Sequence, residues 1–294
     1  MPQVEANGIS IQVETTGDPV DPAVLLIMGL GFQLIHWSDD LVDQLAACGF
    51  HVIRFDNRDV GLSTWFDDEP EPNMAAVWLR SKLGITPKVA YTLSDMADDA
   101  AGVLDALGIE AAHVVGVSMG GMIAQRLAIE HPDRVLSLCS TMSSPGQPAG
   151  SFSLTMKLMR MEQNPDSREG RIRVGMETFR LIAGNGFDFD EDHLLDVATI
   201  AAERAWHPEG TSRQMAAIMA DGDRCPALAK LNVPTTVIHG TDDRLILPRC
   251  GGHTADAMPG AELVLIEGMG HEWPEGAWPE LLDAITGLVE RTAS

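Results

Sequence analysis

The sequence of 294 residues is poor in basic side chains. Lysine and arginine together number 20, only four of them lysine, whereas aspartate and glutamate number 43. The formal net charge of -23 at pH 7 repels the phosphates of nucleic acids and the surfaces of anionic membranes. We therefore expect no nucleic-acid partner and no stable membrane association. The acidic surface indicates either a well-hydrated protein or one that is adapted to salt.

The sequence also lacks the features of an exported or membrane-spanning protein. The N-terminal segment MPQVEANGIS has neither a basic start nor an apolar run. No apolar stretch approaches the roughly eighteen residues that cross a bilayer. The cysteines have no paired spacing, which is typical of reduced thiols; they are Cys48, Cys139, Cys225 and Cys250. We expect a cytoplasmic protein that is a monomer or a homodimer.

Alternating strand and helix patterns predict an α/β protein with a largely parallel sheet and helices on both faces. Strands are predicted at 9–17, 23–29, 51–57, 112–117, 135–142, 233–240 and 261–268. Helices are predicted at 36–49, 92–108, 119–131, about 248–258 and the C-terminal end. The first strand, ISIQVETTG, alternates apolar and polar residues, which indicates an edge strand. Ser38 is a candidate N-cap for the first helix.

Two segments interrupt this alternation. Residues 145–230 carry amphipathic helical patterns and no convincing strand, whereas the shorter segment 65–91 is rich in acids, proline and tryptophan. Within the shorter segment, NMAAVWLRSKLG is a candidate helix. We interpret 145–230 as a helical cap (lid) subdomain over one end of the sheet. Residues 1–144 and 231–294 then form the core domain.

The segment HVVGVSMGGMIAQRLA, residues 113–128, places Ser118 between two glycines where a buried strand turns into a helix. A serine on such a tight, strained turn has the setting of an exposed nucleophile. The neighbouring glycines avoid collisions across the turn. The alternative is a purely structural turn, which would not require a serine at its apex. The pattern therefore predicts that Ser118 is reactive.

Two backbone amides are candidates for stabilising an oxyanion beside Ser118. The helix that begins at Met119 directs its free amides and positive dipole end toward the serine. The glycine-rich loop MGLGFQLIHW follows the central strand, and its Leu30 amide is the candidate second donor. The alternative for this loop is a structural strand-to-helix turn.

A serine needs an imidazole to accept its proton, and His271 is the candidate base. It lies in EGMGHEWPE, a glycine-flanked loop after the last strand, at the end of the sheet where ligands bind in α/β proteins. Most other histidines flank regular elements, lie in the insertion or precede Ser118. His253 has C-x-x-H spacing with Cys250 but no second ligand pair, so no metal site is predicted.

An acidic residue should orient the imidazole, and the segment VIHGTDDRLILP offers two. Asp242 and Asp243 both follow the strand before the His271 loop. Adjacent residues point in different directions, so only one of them can contact the ring. From the residues alone, both stay open.

Several residues near these groups are candidates for the wall of a substrate pocket: Gly29, Phe32, Trp37, Met142, Met156 and Met159. Methionines from the insertion would give this pocket an adaptable apolar wall. The alternative is that most of them are ordinary core residues.

Four segments, GVSMGG, FDNRDVGLS, HGTDDRLILP and GMGHEWP, occur in the order typical of the α/β-hydrolase superfamily, which this sequence resembles. Within this superfamily, the sequence looks similar to capped carboxylesterases of the aclacinomycin methylesterase type. The resemblance implies a mostly parallel eight-stranded sheet with helices on both faces and a helical cap between strands 6 and 7. It also implies a triad of Ser118, Asp243 and His271, and no cofactor. Many relatives have His-Gly where this chain has Met28-Gly29, a change that keeps the backbone donor.

These features predict a serine hydrolase that cleaves small to medium apolar carboxylic esters through an acyl-enzyme. A small-molecule ester is thus the expected partner. One alternative keeps the triad but hydrolyses carbon–carbon bonds, or performs cofactor-free perhydrolase or haloperoxidase chemistry. Another is a binding protein or receptor that retains the triad and turns its ligand over slowly.

Overall fold

Eight strands form one sheet in a computed structural model, which describes residues 2–146, 150–161 and 165–292. The strands are β1 (Gln3–Ala6), β2 (Ile9–Thr16), β3 (Ala23–Ile27), β4 (His51–Phe55), β5 (Ala112–Val117), β6 (Val135–Thr141), β7 (Thr235–Gly240) and β8 (Glu262–Ile266). Their order in the sheet is β1-β2-β4-β3-β5-β6-β7-β8. The pairs β1–β2 and β2–β4 are antiparallel, and the other pairs of neighbouring strands in this sheet are parallel. The predicted fold class is confirmed.

The position of β3 in the centre of the sheet explains why its sequence is continuously apolar. It lies between β4 and β5, and every residue in it is buried. Leu25 and Ile27 pack into the core on one face of the sheet, whereas Val24 and Leu26 pack into the core on the other. A parallel strand with both faces covered has no solvated side for polar residues.

The strand β2 is not at the edge of the sheet, contrary to the sequence prediction. Its first half pairs with the short strand β1, and its second half pairs with β4. Asn7 and Gly8, with φ values of 49° and 76°, form the tight turn between β1 and β2. Asn-Gly is the preferred pair for such a hairpin turn, since both positions need a positive φ. The four residues of β1 were too short to give a recognisable strand pattern.

Helices cover both faces of the sheet. On one face lie α1 (Asp39–Ala47) and the C-terminal α11 (Trp278–Thr292); on the other lie α3 (Leu93–Ala106), α4 (Met119–Glu130) and α10 (Pro248–Ala257). Thr92 caps α3 in a reciprocal arrangement with Asp95. Ser38 precedes α1 as predicted, but its side chain makes no capping hydrogen bond.

The segment between β6 and β7 is helical wherever it has regular structure in the described residues. Its helices are α5 (Phe152–Arg160), α6 (Arg168–Ile182), α7 (Glu191–Arg204), α8 (Pro208–Ala220) and α9 (Cys225–Leu228). The smaller insertion contributes α2 (Met74–Lys82), which begins at the N-cap Asn73 and contacts α8. Across the three described ranges, no helix has both the length and the apolar character needed to cross a bilayer.

Candidate active site

Ser118 lies on the sharp turn between β5 and α4. Its φ of 56° and ψ of -118° are strained for a residue with a side chain. A Cβ on Gly116 would lie 2.2 Å from the Gly120 carbonyl oxygen, and one on Gly120 would lie 2.0 Å from that of Ile27. Only glycine fits at either position, because both approach backbone that cannot move aside. The turn therefore depends on both glycines of the motif.

The three side chains proposed from sequence meet at this turn. The Ser118 hydroxyl lies 3.0 Å from Nε2 of His271, and Nδ1 of His271 lies 2.6 Å from Oδ2 of Asp243. Asp243 and His271 are both buried, with 1% and 7% exposure, so water competes little for these contacts. The hydroxyl can donate to Nε2 when Nδ1 carries the hydrogen and donates to the carboxylate.

The carboxylate of Asp243 is held in its ionised form. Its Oδ1 accepts from the amides of Leu245 at 2.8 Å and Ile246 at 2.9 Å. Burial by itself raises the pKa of Asp243. The charge of His271, hydrogen bonds from His239 and His271, and the Ile246 amide outweigh that effect and lower the pKa to about 2. The carboxylate is therefore charged throughout the neutral range.

Asp242 points away from the imidazole, as the divergence of adjacent side chains requires. Its Oδ2 accepts from the backbone amide of Asn185 at 3.1 Å and from the Asn185 side chain at 2.7 Å. Of the two aspartates left open by the sequence, only Asp243 contacts His271.

The loop that follows β3, residues 28–37, passes beside Ser118 and is called the β3 loop below. A Cβ on Gly29 would lie 3.3 Å from Cβ of Ser118, so the two backbones are close. The Gly31 amide is occupied, because it donates to Oε1 of Gln214 at 2.9 Å. In the described residues, neither the Leu30 nor the Met119 amide has a hydrogen-bond acceptor. Both amides stay free for a bound group.

Side chains of the inserted helices hold the β3 loop. Gln214 of α8 is fully buried, and its Nε2 donates to the Arg58 carbonyl at 2.8 Å while its Oε1 accepts from Gly31. Gln33 of the loop donates from Nε2 to the carbonyls of Ala201 and Ala205, both at 2.9 Å. Sequence reasoning assigned no role to either glutamine.

Buried ion pairs anchor the same helices to the segment FDNRDVGLS after β4. Arg213 of α8 lies 2.8 Å from Asp59, and Arg204 of α7 lies 2.7 Å from Asp56. Asp59 also accepts from the Tyr91 hydroxyl at 2.7 Å. Burial raises the pKa of Asp59, but hydrogen bonds from Arg213, the Phe66 amide and Tyr91 produce a net lowering. The sequence had marked this segment only as a family signature.

The loop that carries His271, residues 267–274, is called the β8 loop below, and it contacts the end of α6 through backbone. The His271 amide donates to the Ile182 carbonyl at 2.8 Å, and the Gly186 amide donates to the Gly268 carbonyl at 2.9 Å. A Cβ on Gly184 would lie 2.1 Å from the same Gly268 oxygen. The two segments can approach this closely only because Gly184 has no side chain.

Glu272 joins the same two segments. Its Oε1 accepts from the amides of Gly184 at 2.9 Å and Gly270 at 3.2 Å. Burial raises the pKa of this carboxyl group, although the two amides and the neighbouring His271 act in the opposite direction.

A cavity of about 920 Å³ opens beside His271 between the sheet and the inserted helices. Of the residues proposed for its wall, Phe32, Trp37 and Met142 line it. Gly29 and Met156 do not, which differs from the prediction. Gly29 lies against Ser118, and among the described side chains the insertion contributes α6, α7 and the segment between them to the wall. The side chain of Met159 lies outside the described part of the structure.

Aromatic rings dominate the wall of this cavity. Phe32 and His36 stack with centroids 4.4 Å apart, and Trp37 meets Trp273 edge-on at 5.0 Å. Burial lowers the pKa of His36 to about 4; the Gln33 carbonyl opposes this shift, and Arg204 adds to it. His36 is therefore a neutral ring at physiological pH. The exposed acidic residues of the lining are Asp40, Asp188, Asp190 and Glu275.

No group of three or more histidine, cysteine, aspartate or glutamate side chains in residues 2–146, 150–161 and 165–292 is arranged to hold a metal ion. Cys250 is buried and His253 is exposed.

The family profile for the alpha/beta hydrolase fold matches residues 22–174, and the chain belongs to this family. It is 31% identical to rhodomycin D methylesterase DauP of Streptomyces sp. (strain C5), over 94% of each chain. It is 29% identical to rhodomycin D methylesterase DnrP of Streptomyces peucetius, also over 94% of each chain. The resemblance inferred from the sequence motifs is confirmed.

Solved structures show the same fold. The meta-cleavage product hydrolase CumD from Pseudomonas fluorescens IP01 superposes with a TM-score of 0.73 and 18% identity, covering 99% of this chain and 98% of that one. The enol-lactonase from Burkholderia xenovorans LB400 gives a TM-score of 0.70 and 24% identity, covering 99% of each chain. At these identities the likeness concerns the fold alone.

Proposed function

We propose that this protein is a serine hydrolase that cleaves carboxylic esters through an acyl-enzyme intermediate. The observation that carries the proposal is the continuous chain from the Ser118 hydroxyl through His271 to Asp243, at 3.0 and 2.6 Å. The two methylesterase relatives, similar over nearly the whole chain, support an ester as the substrate.

In the proposed reaction, Ser118 attacks the ester carbonyl while Nε2 of His271 takes the hydroxyl proton. Asp243 holds the ring in the tautomer that leaves Nε2 free and stabilises the imidazolium that forms. The free amides of Leu30 and Met119 donate to the oxyanion of the tetrahedral intermediate. His271 then returns the proton to the departing alcohol, and water repeats the sequence to release the acid.

The aromatic rings of the cavity wall support an apolar ester as the substrate. The cavity volume of about 920 Å³ leaves room for a small to medium ester. We also propose that residues 145–230 act as a cap subdomain on a core of residues 1–144 and 231–294. This division follows the change from strand–helix alternation to helices alone.

The replacement Ser118→Ala tests this function. We expect hydrolysis of p-nitrophenyl esters to fall by about 10³-fold or more, because the nucleophile is lost while the oxyanion site stays. The steady-state rate and labelling by a fluorophosphonate both measure this loss.

The matched control is Ser137→Ala, a buried serine on β6 that contacts His113 rather than the site. It should keep both activity and labelling. If Ser118→Ala retains most of the wild-type rate with an unchanged circular dichroism spectrum, Ser118 is not the nucleophile.

A further inference from the structure

His239 is a buried histidine beside the acid of the proposed triad, and no step of the proposed reaction uses it. It lies on β7, four residues before Asp243, and is 0% exposed. Its Nε2 lies 2.8 Å from the Ile246 carbonyl oxygen and 3.3 Å from Oδ2 of Asp243. Nδ1 of His271 lies 2.6 Å from the same Oδ2, so two imidazole rings face one carboxylate oxygen.

The surroundings of His239 determine which nitrogen carries its hydrogen. The Ile246 carbonyl can only accept, and so can the ionised Asp243, so Nε2 must be the donor. Nδ1 has no hydrogen-bond partner in the described residues and packs against Gly251, where a Cβ would lie 2.5 Å from it. A hydrogen on Nδ1 would be buried without an acceptor, which again favours Nε2 as the nitrogen that carries the hydrogen.

With His239 included, each oxygen of the Asp243 carboxylate faces two nitrogen atoms. Oδ1 accepts from the amides of Leu245 and Ile246. Oδ2 lies 2.6 Å from Nδ1 of His271 and 3.3 Å from Nε2 of His239, whose single hydrogen is donated to the Ile246 carbonyl at 2.8 Å and also faces Oδ2. The Nε2 hydrogen therefore ties the Ile246 carbonyl and the Asp243 carboxylate to one point, which restricts the orientation of the carboxylate.

We propose that His239 is a positioning residue for the catalytic acid: its Nε2–H holds the Ile246 carbonyl and faces Oδ2 of Asp243, so that the carboxylate stays oriented toward His271 and holds it against Ser118. This inference rests on the proposed function. Gly251 belongs to the same arrangement, since any side chain there would displace the His239 ring.

Two substitutions separate donation by His239 from simple packing. His239→Met keeps a side chain of similar size without a donor, and His239→Gln keeps an N–H near the position of Nε2. We expect His239→Met to lower kcat about tenfold with little change in KM, because a hydrogen bond to a charged group is lost. His239→Gln should recover most of kcat.

The control is His113→Met, a buried histidine on β5 whose Nδ1 lies 2.8 Å from Ser137 Oγ and which does not contact the triad. It should leave kcat unchanged. Equal losses of kcat in His239→Met and His239→Gln would assign His239 a packing role and overturn the proposal.

Nuclear magnetic resonance of the resting protein gives a second readout. The hydrogen that His271 shares with Asp243 at 2.6 Å should resonate far downfield. We expect this signal to move or broaden in His239→Met and to return in His239→Gln. In the wild type, nitrogen-15 shifts should place the His239 hydrogen on Nε2. A signal that does not move in His239→Met overturns the proposal. A hydrogen on Nδ1 of His239 in the wild type also overturns it, and this second result does not require the variants to fold.

These spectra need no turnover, so they separate the two proposals. If the wild type has no esterase activity, the proposed function is wrong, but the spectra still test the role of His239. Conversely, loss of hydrolysis in Ser118→Ala together with an unmoved signal in His239→Met would leave the proposed function standing without this inference.

Discussion

The inserted helices are attached to the two loops that flank Ser118 in different ways. The β3 loop and the segment after β4 are held by buried side chains, chiefly Gln214 and Arg213 of α8. The β8 loop is held chiefly by backbone contacts, where Gly184 packs against Gly268, and Glu272 is the side chain that adds to them. Removing side-chain atoms should therefore disturb the first attachment, whereas adding side-chain volume should disturb the second.

Both attachments differ from a lid that rests on the core through apolar surface alone. Each one ends at a group that the proposed reaction uses: the β3 loop carries Leu30, and the β8 loop carries His271. A change in the inserted helices should therefore alter kcat as well as substrate binding, even where the changed residue does not touch substrate.

The largest effect on kcat is expected from Gly184→Ala, at the backbone attachment. The new methyl group would lie 2.1 Å from the Gly268 carbonyl and 2.4 Å from the Gly270 amide, so the β8 loop must shift. A displacement of His271 by about 1 Å should lower kcat about 100-fold. The added volume should also lower the free energy of unfolding by about 1–3 kcal/mol. Steady-state kinetics and denaturant unfolding measure the two effects.

The control for Gly184→Ala is Gly222→Ala, in the same insertion. A Cβ at Gly222 would meet no atom within 4 Å. This variant should match the wild type in rate and stability. Equal rates for both variants would show that the β8 loop does not need the close backbone approach.

The next prediction concerns the free energy of unfolding and tests the side-chain attachment. Arg213→Met should lower the free energy of unfolding by about 3–5 kcal/mol, because Asp59 keeps its charge in a buried site without its guanidinium partner. Arg213 is 3% exposed and Asp59 is 0% exposed. Arg168→Met is the control, since Arg168 and its partner Glu203 are both about half exposed. That surface pair should contribute at most about 1 kcal/mol. Urea unfolding distinguishes the two results.

The same pair should make stability sensitive to acid. The folded pKa of Asp59 lies below its ordinary value of 3.8, so its contribution is complete above that value. It is lost as the pH falls through the folded pKa. The stability difference between wild type and Arg213→Met should therefore shrink at low pH, and a constant difference down to pH 2 would contradict the ionised pair.

The smallest effect is expected from Gln214→Leu, which removes the acceptor of the Gly31 amide. We expect kcat to fall about tenfold with little change in KM, because the β3 loop and its Leu30 amide lose one fixed contact. Met215→Leu, at an exposed position on the same helix, is the control and should behave as the wild type. A loss confined to KM would place Gln214 in substrate binding instead.

Local sequence patterns predicted the α/β fold and brought Ser118 and His271 together with one of two adjacent aspartates. The family resemblance, rather than the local pattern, selected Asp243. Each of these residues follows a strand, and the carboxyl ends of parallel strands share one edge of the sheet. The glycines around Ser118 also carry a local signal, because their steric reason lies within the same turn.

Long-range contacts carried no such signal. Gln33 and Gln214 are polar residues in ordinary loop and helix patterns, and the partners of their side chains lie from 156 to 183 positions away in the chain. Likewise, the insertion was predicted to be helical, but nothing in its periodicity showed that α6 and α7, rather than Met156 of α5, would line the cavity. Docking of one helix layer on another depends on surfaces that the local pattern does not specify.

The acidic residues in the lining of the cavity have a consequence for the end of the proposed cycle. Ester hydrolysis converts an uncharged substrate into an anion, and the described lining holds no lysine or arginine to bind it. Asp40, Asp188, Asp190 and Glu275 are exposed residues of this lining, on a protein of net charge -23. Their negative potential makes the newly formed carboxylate less stable in the cavity than in bulk solvent, so the product should compete poorly with fresh ester for the vacated space.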